Sequence, residues 1–240
     1  MSHNNLYKIW LVINRVSIVK TLYYNFKLLP FKQAKKLPLL IGKNTIVRST
    51  KGVLKIDGHV KTGMISFGVL LIFRDDIRKR NYIDISGEVI FKGHAIFHTG
   101  TILKSSKGSK IIFGDNFKLG ADSVIYSEKS ISFGEMVEMS WNVQILDTDF
   151  HFIEKIDTKE SFPRTKPISI GNNVWIGNGV CINKGTIIPN GCIVASRSMV
   201  NKSFDKQYCI LAGTPAKVVK EGFTRVFDFE EESRLAKQFQ

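Results

Sequence analysis

Apolar side chains in this chain recur at a spacing that suits neither an α-helix nor an alternating strand. Ile170, Ile176, Ile182, Ile188, Val194 and Val200 stand six residues apart without a slip. A helix would repeat at roughly three to four residues and a half-buried strand at about two. Four of these residues are followed by a small residue or a proline, Gly171, Gly177, Pro189 and Ala195, while Asn183 and Asn201 depart from the rule. The fifth residue of each hexad is short or β-branched as well: Val174, Val180, Thr186, Cys192 and Ser198. The same phase runs through Phe113, Leu119 and Ile125, through Phe133, Met139 and Ile145, and more loosely through Ile85, Phe91, Phe97 and Leu103. Breaks of ten, eight and twenty-five residues separate these blocks.

A period of six means that each sixth side chain points the same way after one short strand and one turn. Three such strands close a coil of about eighteen residues, with the apolar residue on the axis and Gly, Asn or Asp at the corners. Stacked coils pair their strands in parallel and bury one continuous core, which predicts a parallel β-helix. A sandwich or barrel of short strands would instead show alternation of period two and irregular turns.

Composition adds a boundary and a question. With 240 residues, 43% hydrophobic content and six prolines, the chain is excluded from the disordered and collagenous classes. Its 35 Lys and Arg against 21 Asp and Glu leave a formal charge of +14. Up to Lys61 there are twelve basic residues and one acid, Asp57; from Thr62 onward 23 basic residues face 20 acids. The excess therefore belongs to the N-terminal quarter, and any polyanion or membrane argument has to be made there.

Between Asn5 and Leu40 the chain is basic, aromatic and aliphatic without a six-residue phase. Trp10, Tyr23, Tyr24, Phe26 and Phe31 interleave with Lys8, Arg15, Lys20, Lys27, Lys32, Lys35 and Lys36. A single continuous amphipathic helix is not cleanly supported, and Pro30 and Pro38 would break it. Docking on the first coils as a cap ranks first, attachment to an anionic membrane surface second, and holding a charged acceptor third. Nucleic-acid binding ranks last, because no recognition motif accompanies the charge. Within Leu6 to Pro30 the longest uncharged run is six residues, too short for a signal-peptide core or a membrane span. Three cysteines without a CxxC pair argue against structural disulfides and for a reducing compartment, so the chain reads as cytoplasmic, with peripheral contact at the inner face of the membrane as an extension of that reading. From Phe223 onward acids come early (Asp228, Glu230, Glu231, Glu232) and bases late (Arg234, Lys237), the order that suits a short C-terminal helix. The expected division is a basic N-terminal segment with first irregular coils over 1–61, a hexapeptide-repeat catalytic domain over 62–222 with a loop at 146–169, and a helical extension over 223–240.

The stretch Ile170-Gly-Asn-Asn-Val-Trp-Ile-Gly-Asn-Gly, the hexads after it, Leu211-Ala-Gly-Thr-Pro-Ala-Lys and Asp147-Thr-Asp-Phe-His151 resemble the hexapeptide-repeat acyltransferases. The match covers about Ile85 to Lys220 and is closest to the acetyltransferases of bacterial surface-polysaccharide clusters. It implies an all-β, left-handed parallel β-helix with a protruding active-site loop, an exception to the usual right-handed crossover. It also implies a homotrimer, in which His151 of one chain faces the coenzyme groove of the next.

His151 lies in the twenty-five-residue interruption, too long and polar to be another coil, and long insertions on a rigid scaffold commonly carry function. Taken by itself, a loop histidine reads as a solvated residue. The resemblance reverses that reading, since the catalytic histidine of the family falls in this loop. Asp147 and Asp149 either orient His151 or cap the turn. The implied reaction is direct transfer: His151 takes the proton of an acceptor hydroxyl, whose oxygen attacks the thioester of acetyl-CoA, with no acyl-enzyme. No Cys or Ser near His151 forms a nucleophile motif, and Cys181 and Cys192 fall at packing positions of the hexads. Asn142, in Met139-Ser-Trp141-Asn142, matches an acceptor-pocket position and equally fits a corner asparagine; Trp141 accompanies it as a substrate contact. Asn178, Ala195, Ser196, Asn201, Lys217 and Lys220 fall at coenzyme-contact positions, the two lysines suited to phosphates. Arg197 stands where the family usually has glycine, which leaves the coenzyme contacts there open. Trp175 reads as packing on a prism face or a subunit contact.

Other functions fit parts of the pattern. An N-acetyltransferase acting on an amino sugar would use the same machinery. A metal-dependent hydrase of the γ-carbonic-anhydrase type shares the β-helix, and His59, His94, His98 and His151 supply histidines, but His94 and His98 are four apart and no third ligand follows at a suitable depth, so no metal is expected. A non-catalytic β-helical scaffold is the remaining alternative.

Overall fold

The computed structural model of the chain describes residues 14–70 and 78–239. Parallel strands build a three-faced prism. The first face runs Leu39–Ile41, Ile65–Phe67, Ala95–Phe97, Phe117–Leu119, Glu138–Met139, Trp175–Ile176, Ile193–Val194 and Cys209–Gly213. Ala216–Glu221 adds an antiparallel ninth strand at its edge. The second face has seven strands, from Thr45–Ser49 to Met199–Val200, and the third has six, from Val53–Ile56 to Ile187–Ile188.

The hexad residues stack directly in register along each face. Leu119, Met139, Ile176, Val194 and Leu211 are successive partners on the first. Leu103, Ile125, Ile145, Ile182 and Val200 do the same on the second, and Phe91, Phe113, Phe133, Ile170 and Ile188 on the third. All of them are buried, as are Val174, Val180, Thr186, Cys192 and Ser198 at the fifth positions. In the lower coils the axis is filled by phenylalanine. Phe113 stacks on Phe91 at 4.9 Å and on Phe133 at 5.2 Å, close to the spacing of parallel strands at about 4.8 Å, so ring repeat and coil repeat coincide.

Coiling begins earlier than the loose phase at Ile85 suggests, because Leu39–Ile41, Thr45–Ser49 and Val53–Ile56 already form a complete turn of the prism. Ahead of it lie the helices α1 (Ile18–Leu28) and α2 (Phe31–Ala34). Ser17 caps α1 by accepting from Lys20 N–H, and the helix stops ahead of Pro30, whose ring disfavours helical backbone in Leu29. α1 covers the open edge of the first strand. The buried Asn25 amide donates to Leu39 C=O at 2.8 Å and accepts from Leu39 N–H at 3.0 Å, and Thr21 Oγ1 accepts from Ile41 N–H. Side chains thus stand in for a missing strand on an edge that would otherwise be unpaired. Leu29 and Ala34 close that end of the apolar core. Trp10 and Lys8 lie outside the described residues.

At the other end the chain folds back along the first face. Arg225 pairs with Glu138 at 3.0 Å and lies 5.5 Å from the Trp175 ring, so Trp175 packs on a prism face beneath the tail. The C-terminal helix α3 (Phe229–Gln238) is capped by Asp228, with three acids in its first turn and Lys237 in its last. No described helix is long and apolar enough to cross a membrane.

Candidate functional site

The interruption of the period emerges at the corner between the second and third faces. Asp147 ends the strand Gln144–Leu146 and is fully buried. Its carboxylate accepts from Ser127 Oγ at 2.7 Å and from the backbone N–H groups of Glu128 at 2.7 Å and Lys129 at 2.9 Å. It closes the corner of the coil beneath and fixes the root of the insertion. From there an antiparallel arm rises, bridged at Thr148 and Thr165 and paired at Ile153–Glu154 with Ser161–Phe162.

Three side chains from neighbouring coils brace the arm. Glu128 accepts from Thr148 Oγ1 at 3.1 Å and pairs with Arg164 at 3.0 Å, and Arg164 also donates to Phe150 C=O at 3.3 Å. Lys184, from the coil above, pairs with Asp149 at 2.5 Å and donates to Pro163 C=O at 2.7 Å. Tyr126 meets the Phe150 ring edge-on at 5.0 Å. Phe150 holds a left-handed backbone, φ 62°, a costly conformation for a bulky residue. His151 follows it directly and is exposed on the arm. Asp147 is thus tied into the turn, and Asp149 is paired with Lys184. Neither carboxylate is bonded to the imidazole. Lys184, Glu128 and Tyr126 escaped sequence reasoning because they meet the arm from other coils, and Arg164, on the arm itself, because it carries no local motif.

The corner between the first and second faces is a different construction. Gly100, Asp122, Asn142, Gly179 and Arg197 occupy it in successive coils, all with φ between 57° and 78°. Arg197 therefore replaces glycine at a position whose backbone is left-handed, and Asn142 is a corner asparagine with an exposed side chain. Neighbouring turns are stitched together. Asn142 N–H donates to Ala121 C=O, Gly179 N–H to Trp141 C=O at 3.0 Å, and Arg197 N–H to Asn178 C=O at 2.8 Å. A Cβ on Gly177 would stand 2.6 Å from Ser196 N, so glycine there permits this approach.

Trp141, Asn142, Asn178, Ala195 and Ser196 thus share one column. Lys217 and Lys220 are exposed on the edge strand Ala216–Glu221, with Lys220 Nζ 5.4 Å from the Phe223 ring. Asn201 follows Met199–Val200 on the way to the other corner and is not in the column. In a single chain the His151 arm and the Asn178 column lie at opposite edges of the second face.

Cys192 and Cys209 are buried free thiols with sulfurs 3.4 Å apart, and burial pushes the Cys209 thiol up to about 12. His94 pairs with Asp115 through its backbone N–H at 2.6 Å and its ring at 3.4 Å. Among the described residues no three His, Cys, Asp or Glu side chains converge as a metal site.

Comparison with known proteins agrees with this construction. No protein-family model matches the chain. Among solved structures, the polySia-specific acetyltransferase NeuO shares the fold with a TM-score of 0.53 and 24% identity, over 81% of this chain and 99% of that one. Over 149 residues the chain is 28% identical to a Dictyostelium discoideum protein named "Putative acetyltransferase", 62% of this chain and 77% of that one. Stacked hexads and a left-handed β-helix define the fold class, hexapeptide-repeat, which this chain shares with NeuO. Within it, the chain belongs to the family of a Klebsiella pneumoniae protein named "Uncharacterized 24.8 kDa protein in cps region", to which it is 35% identical over 89% of its own length and 96% of that protein's.

Proposed function

We propose that the chain transfers an acetyl group from acetyl-CoA to a hydroxyl of a sugar or polysaccharide, with His151 as general base. The observation that carries the reading is the exposed imidazole on a braced arm, raised where the six-residue period is broken. A likeness in fold to a polysialic acid acetyltransferase and the name of the Dictyostelium relative support it. The imidazole takes the acceptor proton as the oxygen attacks the thioester carbonyl. The carbon–sulfur bond breaks, and the coenzyme leaves as the thiol after the imidazolium returns the proton. Asp147 and Asp149 act on this chemistry by fixing the arm, the first at its root and the second through Lys184.

The co-substrate would lie along the column of Asn178, Ala195 and Ser196, with Lys217 and Lys220 offering charge to its phosphates and Trp141 and Asn142 bordering the acceptor. Because arm and column sit at opposite edges of one face, a second copy has to supply one of them. Exposed Phe152, Ile153, Ile156 and Phe162 on the arm give that copy an apolar surface, and a homotrimer closes the arrangement. Three free thiols are in keeping with work in the cytoplasm. Thiol release from acetyl-CoA, screened against neutral, amino and acidic sugars, tests the reading. Release with a hydroxyl acceptor supports it, and release confined to amino sugars would replace it with N-acetylation.

A further inference from the structure

The helix α1 leaves a large apolar surface on its outer side. A helix docked on a globular body ordinarily turns apolar residues inward and polar ones to water. Here the fully buried positions are Thr21 and Asn25, bonded to the backbone of the first strand, with Tyr24 and Leu28 partly buried against the core beside them. Outward stand Ile18, Val19, Leu22, Tyr23 and Phe26, between 43% and 79% exposed, and Phe31 of α2 extends the patch from 6.0 Å beside Phe26. Lys27, Lys32 and Lys35 border it, all exposed. From Asn14 to Lys61 eleven basic residues accompany one acid.

We propose that this face docks on an anionic phospholipid bilayer. Charge chooses the occupant: a second copy laid on the same face would bring together two strongly cationic surfaces, whereas an anionic bilayer neutralises one. The apolar centre of the patch separates a bilayer from a nucleic acid, since phosphate backbones call for cations across the whole footprint. Aliphatic and aromatic side chains in the middle with lysines around them are the arrangement of an interfacial helix, seated at the boundary between headgroups and acyl chains. The helix is pinned to the prism end by Asn25 and Thr21, so docking would set the β-helix on the membrane by that end. This inference does not depend on the acetyltransferase reading.

Flotation of the full chain with phosphatidylglycerol/phosphatidylethanolamine vesicles, compared with pure phosphatidylcholine vesicles at low and high salt, tests it. Wild type is expected to bind the anionic vesicles at least about tenfold more tightly, and less as salt rises. The surface variant Val19→Gln/Phe26→Gln is expected to lose about tenfold or more. Lys32→Gln/Lys35→Gln, which leaves the apolar face intact, is expected to lose about fivefold per lysine. Phe229→Gln on α3 should bind as wild type does. Absence of wild-type binding to anionic vesicles would overturn the proposal, as would equal flotation of wild type and Val19→Gln/Phe26→Gln. A fall in assembly size for that variant without wild-type flotation would assign the face to a second copy and likewise overturn it.

Discussion

Two corners of the same prism obey different rules. Between the first and second faces the step from Phe67 to Ile83 is sixteen residues, and every later step, Phe97 to Leu103, Leu119 to Ile125, Met139 to Ile145, Ile176 to Ile182 and Val194 to Val200, is six. Between the second and third faces the steps are eight, ten, eight, twenty-five and six, from Ile83 to Ile188. Both corners keep the axis residues in register, so stacking does not demand equal turns everywhere. The strict corner is strict because its turns touch: a Cβ on Gly120 would stand 2.2 Å from Ser140 O. The loose corner is lined instead by buried polar groups: Ser105 bonds Ser109 within its own turn, and Asp147 ties the insertion to Ser127 and Glu128 of the coil beneath. Scaffold and candidate chemistry are thereby separated on one chain.

This separation can be attacked from the scaffold side first. Phe113→Ala removes a ring stacked between two others at the axis and should cost about 3–5 kcal/mol in urea unfolding. Asp147→Ala leaves the N–H groups of Glu128 and Lys129 and the Ser127 hydroxyl without their acceptor. It should cost about 2–4 kcal/mol, with early proteolytic cleavage between 149 and 163. Lys184→Ala acts on the partly exposed brace to Asp149. Unfolding should change by no more than about 1 kcal/mol, while kcat falls severalfold as the arm loses its position.

The thiols give the mildest test. Cys209 keeps its proton in the folded chain well above the ordinary thiol range, so alkylation of native protein at pH 8 should label half-exposed Cys181 and spare Cys192 and Cys209. The unfolded thiol ionises near 9 while the native one holds its proton to about 12. The unfolded state therefore binds fewer protons in that window, and this contribution to stability should decline as pH rises from about 9 toward 12. Guanidinium titrations at pH 8 and 10 on wild type and Cys209→Ala would isolate it.

Much of the prism was legible because its core residues follow one period: Ile170 through Val200 and the shorter runs from Phe113 and Phe133 are the axis. The first coil was not, since the axis residues Phe67 and Ile83 are sixteen residues apart and α1 presents Thr21 and Asn25 to the strand edge, a contact no hydrophobic pattern announces. The C-terminal helix was legible from the order of its charges. Within the site, the position of His151 in a broken repeat could be read, and so could Asn142 as a corner residue. The bracing of the arm could not. Glu128 and Lys184 reach it from coils twenty or more residues away in sequence, and the buried role of Asp147 depends on backbone groups rather than on neighbours in the chain.

Chemistry carried on the arm should be separable from the stacked coils beneath it. Side-by-side measurement of acetyl-CoA thiol release and thermal unfolding for wild type and His151→Ala tests this most directly. With the imidazole exposed on the arm, the expected result is a rate at least about 100-fold lower with an unchanged melting temperature. Turnover like that of wild type in His151→Ala would contradict the account.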